Sequence, residues 1–410
     1  MSGLLGYVPI VGRLIGTQAA QRIDLPPAKV YDIETLEDHS GRSLKHLIRA
    51  NHSNYALLYG NAFEHENNLS ALLVSAYMMG ANNVQLHALY DEFAKVLGTW
   101  EAAPSEMIDD DWQDFYGDRR YQRAYVDFFE DALVMKFNYD WRRLLSVYLF
   151  EGPKPLVYGL VGCSGNPLIQ LACAYQVGSK ELAAEALALA GSQYGFISKY
   201  VSNESYAKSS ANSSDSIAEI LRRLNQDERF NHIFTAAAPN KMAWLLKNHE
   251  DLMLEYWNAW TLTEPAKQFR ESQELVVALL VATAKRGTRT FCKEFAHLVA
   301  TNNAVRVLVQ FLPKEYHVCL LRAWWMLALS VYVTMLRPEI IEDYAEPAEL
   351  KGRDWAFVEN MAVESALCTD AAFVTTLRAV RDIAQTWGDA GERLLLAAVI
   401  FAEEFSGWSN

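Results

Sequence analysis

Apolar residues recur at intervals of three and four along nearly the whole chain, and this spacing constrains the fold most. It matches the 3.6-residue period of an α-helix, so it predicts amphipathic helices. No sustained alternation of apolar and polar residues indicates a sheet. The sequence therefore predicts an all-α protein built as one large multi-helix domain. The clearest apolar stripes are Leu69, Leu72, Leu73, Ala76 and Met79; Tyr121, Tyr125, Phe128, Phe129 and Ala132; and Trp141, Leu144, Leu145, Tyr148 and Leu149.

Capping residues predict where several helices begin. Asn166 followed by Pro167 is typical of an N-cap and the first helical residue. Ser179 predicts the start of a helix that runs to Ala190, and Ser216 with Glu219 fits a capping box. The spacing predicts later helices over residues 272–284, 291–311, 316–336, 355–367, 370–387 and 391–405.

The chain shows no change of composition that would separate two domains. We expect an N-terminal extension over residues 1–25 and one helical domain over 26–410. Residues 201–216, rich in Ser and Asn, indicate a loop or mobile linker. Residues 318–336 are apolar and nearly long enough to span a bilayer, but they contain Arg322. We interpret them as a helix buried in the core, so no membrane partner is expected.

Charge and cysteine content narrow the range of possible partners and cellular locations. The net charge is −13, and no basic stripe interleaves with aromatics, which argues against a nucleic-acid partner. Five widely separated cysteines without metal-ligand spacing favour a reducing, cytoplasmic location. A small molecule is the expected partner, and a homodimer is one option for the oligomeric state.

General motifs for nucleotide binding, zinc proteolysis or serine hydrolysis are absent from the sequence. His297 lies in an apolar stretch, where it is either a core residue or a general acid or base. Asn166 and Gln170, four positions apart, share one helix face and would point into one cavity. Cys163 precedes a helix and is either a nucleophile or a small buried residue.

Several stretches, taken in order, resemble the questin oxidase-like family of fungal secondary metabolism, whose members include enzymes that oxidatively open anthraquinone-type rings. The resemblance covers roughly residues 26–408. Its stretches are Leu44-Lys45-His46-Leu47 with Asn51-His52, Ser75 to Ala81, Asp111-Trp112, Tyr121-Gln122-Arg123, Asp127 to Glu130, Asn166 to Leu171, His297-Leu298-Val299, Leu321-Arg322 with Trp324-Trp325, Leu336 to Glu339, and Trp387-Gly388-Asp389.

The resemblance implies a non-haem iron site, but the chain departs from the family at most of its ligands. The family's His-Asn-His is here Glu66-Asn67-Asn68, and its His-Pro-Leu-Ile-His carries Asn166 and Gln170 instead. Ala372 and Thr375 stand where it has histidine and lysine, and only His297 is kept. Amides are poor iron ligands. We therefore expect no metal and no cofactor, with iron as the alternative.

These substitutions favour a polar, metal-free pocket for a polyketide-type or aromatic substrate. Cyclisation, isomerisation, dehydration or C–C cleavage is expected, with His297 and Glu66 catalytic. The alternatives are an oxygenase that performs ring opening or Baeyer–Villiger-type oxidation, with a phenolate reacting directly with oxygen or with a metal at His65, Glu66 and His52, and a non-catalytic binding protein. The expected substrate-binding residues are Asn68, Asn166, Gln170, Thr375, Ala372 and Trp324.

Overall fold

The computed structural model describes residues 22–162, 164–210, 212–282, 289–340 and 349–409. Within these ranges the chain forms 17 α-helices, several single 3-10 turns and four strands of two or three residues. The prediction of an all-α fold is confirmed. The apolar stripes of the helices meet in one continuous core, as burial of amphipathic faces requires.

The described residues of the first half of the chain form eight helices and two of the strands. Strand β1 (Leu58–Tyr59) pairs antiparallel with β2 (His65–Glu66). The helices are α1 (His39–Asn54), α2 (Leu69–Met78), α3 (Asn83–Phe93), α4 (Gln122–Met135), α5 (Trp141–Phe150), α6 (Asn166–Val177), α7 (Lys180–Ser192) and α8 (Ser198–Ser202).

The second half carries nine helices among its described residues. Strand β3 (Thr290–Cys292) pairs in parallel with β4 (Gly407–Ser409) near the C-terminus. The helices are α9 (Ile217–Gln226), α10 (Met242–Asn248), α11 (Glu250–Ala259), α12 (Pro265–Ala282), α13 (Lys293–Leu308), α14 (His317–Thr334), α15 (Trp355–Glu364), α16 (Ala371–Trp387) and α17 (Arg393–Glu404).

The start of α6 differs from the prediction. Gly165, not Asn166, is the N-cap, so Asn166 is the first helical residue and Pro167 the second. Gly165 adopts φ +95°, which favours glycine, and an added Cβ would lie 2.6 Å from Cγ2 of Thr301. The close approach of α13 therefore explains why a glycine, and not Asn166, occupies the N-cap position of α6. The Asn166 amide is left to donate to the hydroxyl of Ser164, at 3.4 Å.

Other predicted helix starts are close to the observed ones. Ser179 caps α7 by accepting from the backbone of Leu182. Ser216 accepts from the backbone of Glu219, but that carboxylate turns to Ser214 at 2.5 Å, so only half of the capping box forms. Helix α13 begins at Lys293 and not at residue 291, because the two preceding residues belong to β3. Residues 283 and 284 of the predicted 272–284 helix lie outside the described residues.

The predicted loop over residues 201–216 begins inside α8, and its described residues form no further helix or strand beyond a 3-10 turn at Glu204–Tyr206. Its later part hydrogen-bonds to the end of α11. The backbone of Ser214 donates to Ala259 at 2.8 Å and accepts from Thr261 at 2.9 Å. Of the predicted N-terminal extension, residues 1–21 lie outside the described residues, and the side chain of Ile23 is buried against the body.

Helix α14 corresponds to the apolar residues 318–336, for which the sequence predicts a helix buried in the core. Together with the 3-10 turn before it, it runs from Lys314 to Thr334 and is long and apolar enough to cross a membrane. Every residue of its most apolar window is buried inside the molecule, as expected of a core helix. Its Arg322 is buried as well, and stacks on Trp257 while donating to the carbonyl of Trp260.

Four helices at the centre run in the same direction. Helices α13 and α16 are parallel, because Ala296 pairs with Thr376 and, further along both, Asn303 pairs with Asp382. Helix α6 runs parallel to α13, since Ser164 contacts His297 at one end and Tyr175 stacks on Phe311 at the other. Contacts of Ser75 with Arg378 and of Met78 with Arg381 orient α2 in the same way. The N-termini of α2, α6, α13 and α16 therefore lie at one end of the bundle.

Candidate active site

His297 lies in the second turn of α13, at the end where the four N-termini meet. Its Nε2 is 3.0 Å from the carbonyl oxygen of Ser164, in the turn before α6. A carbonyl can only accept, so Nε2 carries the hydrogen. In the neutral imidazole the lone pair then lies on Nδ1. The contact therefore makes Nδ1 the basic nitrogen of the ring.

Glu66 belongs to the same cluster. Its Oε1 accepts from Nε2 of Gln193 at 2.8 Å and faces the Ser164 hydroxyl at 3.5 Å. Strand β2 places Glu66 there, three residues before α2 begins. His65 precedes Glu66 on the same strand, so the two side chains point to opposite faces, and His65 is exposed against Tyr59.

Electrostatics favour a neutral His297. Burial lowers its pKa below the ordinary value, because the charged ring loses its hydration. The nearby Glu66 carboxylate and the hydrogen bond to Ser164 oppose this shift, since both favour the charged form. The lowered pKa leaves the imidazole uncharged near neutral pH and able to accept a proton.

The remaining sequence-predicted residues are distributed around this cluster. Asn166 is joined to it through Ser164. Asn68 precedes α2 with an exposed side chain that makes no capping hydrogen bond. Ala372 and Thr375 lie in the first turns of α16, and the Thr375 hydroxyl donates to the carbonyl oxygen of Ala371 at 2.7 Å.

Gln170 and Trp324 have other partners. Gln170 is buried and donates to the carboxylate of Glu185 on α7, whereas Asn166 donates to Ser164. Trp324 is fully buried, and its Nε1 donates to the hydroxyl of Thr301, one helical turn after His297. It supports α13 from within the core. The structure thus brings Glu66, Asn166 and His297 together around Ser164, with Gln170 in a second polar cluster.

A small cavity lies beside α16, and a larger one lies elsewhere in the part of the chain that the structure describes. Thr375 borders a space of about 20 Å³, roughly the volume for one water, together with Cys173, Asn303 and Arg378. Burial raises the pKa of the Cys173 thiol. A larger cavity of about 430 Å³ lies between α9, α12 and the start of α17, and no residue of the His297 cluster lines it. Cys163, the thiol singled out from the sequence, lies outside the described residues.

Ser164 and Gln193 were missed by sequence reasoning as members of the site. Ser164 contacts three residues of the cluster, and its position in a Gly-rich turn before a helix was the only signal for it. Gln193 follows α7 and is brought to Glu66 by tertiary packing alone. No local pattern in the sequence distinguishes Gln193 from glutamines that lie on a protein surface.

Iron fits the described donor set poorly. Among the described residues no three His, Cys, Asp or Glu side chains are grouped to hold a metal ion. In the His297 cluster the strong donors are one imidazole and one carboxylate, whereas such sites use several. Nε2 of His297 and Oε1 of Glu66 are also engaged by protein partners. His52, proposed as a ligand of a remodelled metal site, is bound by two other carboxylates.

A histidine on α13 and a glutamate on β2, at the end of the bundle where four helix N-termini meet, define a helical protein with a candidate small-molecule site. A family model described as Questin oxidase-like matches residues 65–380, more than three quarters of the chain. The protein belongs to the questin oxidase-like family. This membership suggests a tailoring enzyme of secondary metabolism. Comparison with curated proteins found no match.

Proposed function

We propose that the protein is a tailoring enzyme that moves protons on a carbonyl-bearing, polyketide-type or aromatic small molecule, without metal and without net oxidation. The observation that carries the proposal is the 3.0 Å contact of His297 Nε2 with Ser164, which leaves Nδ1 as the base. The pKa of His297, lowered by burial, keeps that nitrogen unprotonated near neutral pH.

The reaction begins when Nδ1 of His297 takes a proton from the carbon next to a substrate carbonyl. Negative charge then develops on the carbonyl oxygen as an enolate. The N-termini of the four parallel helices, each equivalent to roughly half a positive charge, stabilise it. The Asn166 amide, at the first residue of α6, supplies a further donor. Proton transfer at fixed geometry of this kind supports isomerisation, cyclisation, dehydration or retro-aldol cleavage.

Glu66 is the second catalytic group of the proposal. Its negative charge favours the protonated form of His297 and so raises the pKa of His297 against the effect of burial. His297 returns the proton that it took to another atom of the substrate, and the Glu66 carboxylate stabilises the imidazolium until then. Asn68, exposed at the start of α2, and Thr375, at the start of α16, orient the substrate. The reaction needs no nucleic acid, membrane or second protein, and we expect it to take place in the cytoplasm.

The family's description favours a second candidate, an oxidation. Here His297 removes the proton from a phenol, and the electron-rich phenolate reacts directly with dioxygen. The two candidates differ in what they consume. Oxygenation takes up oxygen and adds its mass to the product, whereas proton transfer leaves the mass unchanged or removes water.

The test uses chelator-treated protein and a panel of enolisable aromatic polyketides, without oxygen, followed by mass spectrometry. We expect products of unchanged mass or lacking water, and their loss in His297→Gln. Products that carry added oxygen and form only in air would favour direct oxygenation. A requirement for added ferrous iron would contradict the metal-free reaction in either form.

A further inference from the structure

A second cluster of ionisable groups surrounds His52 of α1. Its Nδ1 lies 2.8 Å from Oε1 of Glu185, and its Nε2 lies 2.9 Å from Oε1 of Glu130. Both carboxylates accept, so both ring nitrogens donate and the ring is an imidazolium. Burial disfavours this charge, but the two hydrogen bonds outweigh it and raise the pKa of His52 to about 10.

The two carboxylates are unequal. Glu185 is 1% exposed and also accepts from Gln170, so it is fixed from two sides. Glu130 lies on α4 with its side chain 43% exposed. The hydrogen bond to His52 lowers the pKa of Glu130, and among the described residues it is the one hydrogen bond of this side chain. Glu130 can therefore leave the ring by a rotation into solvent, whereas Glu185 cannot.

Glu130 and His52 border an open pocket of about 280 Å³. Apolar groups of Leu133, Val134 and Tyr139 form one wall, and Val134 and Tyr139 are exposed. Tyr139 adopts φ +66°, a conformation that non-glycine residues rarely adopt. A cavity of this volume lies near the lower end of the range for small-molecule sites.

The charge balance of the pocket favours an anion. Arg49 pairs with Glu34 and Glu181, at 2.7 and 2.9 Å, and Lys45 pairs with Glu34 at 2.6 Å, so these two cations balance these two carboxylates. Lys180 lies 4.9 Å from the centre of the Tyr139 ring, and among the described residues no carboxylate pairs with it. When Glu130 turns away, the cations of His52 and Lys180 face Glu185 alone. One positive charge is then left for a ligand to neutralise.

We propose that this pocket binds a small organic carboxylate, which replaces Glu130 on Nε2 of His52. The ligand's carboxylate accepts from the imidazolium and lies near the ammonium of Lys180. Its apolar part covers Leu133, Val134 and Tyr139. Glu130 acts as an internal substitute for the ligand when the pocket is empty. The site is separate from the His297 cluster and does not depend on the reaction proposed there.

The test titrates the full chain, labelled with ¹⁵N-histidine, with sodium benzoate and with the neutral analogue benzamide. NMR follows the Nε2 resonance of His52, and calorimetry measures the dissociation constant. We expect benzoate alone to move the resonance. Glu130→Gln removes the competing charge and should tighten benzoate binding about tenfold, while Asp127→Asn, one turn earlier on α4, changes nothing. Lys180→Met should weaken binding several-fold.

Two results would overturn the proposal. The first is a His52 resonance that benzoate leaves unmoved in both the wild type and Glu130→Gln, which would make the cluster a structural ion pair only. The second is equal binding of benzoate and benzamide, which would show that the carboxylate is not recognised. Far-ultraviolet circular dichroism of each variant confirms that it is folded.

Discussion

Nε2 of His297 lies 3.0 Å from the carbonyl oxygen of Ser164, which links the second turn of α13 to the residue that precedes the Gly165 turn into α6. One hydrogen bond thereby sets the tautomer of the imidazole and ties two parallel helices at their N-terminal ends. The Ser164 hydroxyl faces Glu66 and receives the amide of Asn166. The chemistry proposed for the protein follows from this arrangement.

Replacing His297 tests its role as the base. In His297→Gln the side-chain amide can still donate to the Ser164 carbonyl, so the fold should be kept while the basic lone pair is lost. We expect turnover to fall by about 10²- to 10⁴-fold. His65→Gln, at an exposed residue next to Glu66, serves as the control and should keep full activity. Loss of activity in both variants would contradict a specific role for His297.

The pH profile tests the electrostatics. The base works only when unprotonated, and burial lowers the pKa of His297, so activity should rise with pH along a limb below about 6.5. The Glu66 carboxylate raises that pKa, so Glu66→Gln should move the limb to lower pH. Glu294→Gln removes a weaker influence of the same sign and should move it less. A limb that moves to higher pH in Glu66→Gln would refute the assignment.

Replacing Gly165 tests whether the close approach of α6 to α13 constrains this position energetically. Gly165→Ala adds a Cβ 2.6 Å from Cγ2 of Thr301 at φ +95°, so strain and overlap both act. We expect a loss of unfolding free energy of roughly 2–4 kcal/mol in urea titrations. Gly178→Ala, at φ +70° with 3.4 Å of clearance, should lose only the strain of about 1–2 kcal/mol.

The overlap has its own control. Thr301→Ser removes the methyl group that the new Cβ would meet. Combined with Gly165→Ala, it should recover part of the lost stability. If Gly165→Ala and Gly178→Ala destabilised the protein equally, with no recovery in the double variant, the overlap with Thr301 would have no energetic consequence.

The charge on His52 should make the stability of the protein fall as the pH becomes alkaline. A pKa raised to about 10 means that the folded state holds a proton that the unfolded state releases near 6.5. Its contribution is fully present below about pH 6.5 and is lost as pH rises through about 10. The difference in unfolding free energy between the wild type and His52→Gln should therefore shrink over that range by about 3–5 kcal/mol. A difference independent of pH would refute the charged state.

The helical class and most helices could be predicted from the sequence because burial imposes a period on the apolar residues. The 291–311 prediction failed at its start, where Phe291 and Cys292 continue the apolar pattern but pair with β4. That pairing joins residues more than a hundred positions apart, and no local signal predicts it. The same holds for the cap of α6, which depends on the distance between Gly165 and Thr301.

The residues of the candidate site could be predicted from the sequence better than their hydrogen-bond partners could. Spacing alone places Asn166 and Gln170 on one face of α6, yet they bind Ser164 and Glu185 on different sides. Which partner a buried amide takes depends on the charges that tertiary packing brings to it, here the carboxylate of Glu185. The cluster of His52 with Glu130 and Glu185 likewise joins α1, α4 and α7, and no motif spans these helices.

Solvent deuterium incorporation tests proton transfer at His297 most directly. Chelator-treated protein is incubated without oxygen in heavy water with an enolisable aromatic ketone, and NMR follows exchange at the carbon next to the carbonyl. The account predicts exchange well above the rate without protein, unchanged by added iron and lost in His297→Gln. Exchange at the background rate, or exchange that appears only when iron is added, would contradict it.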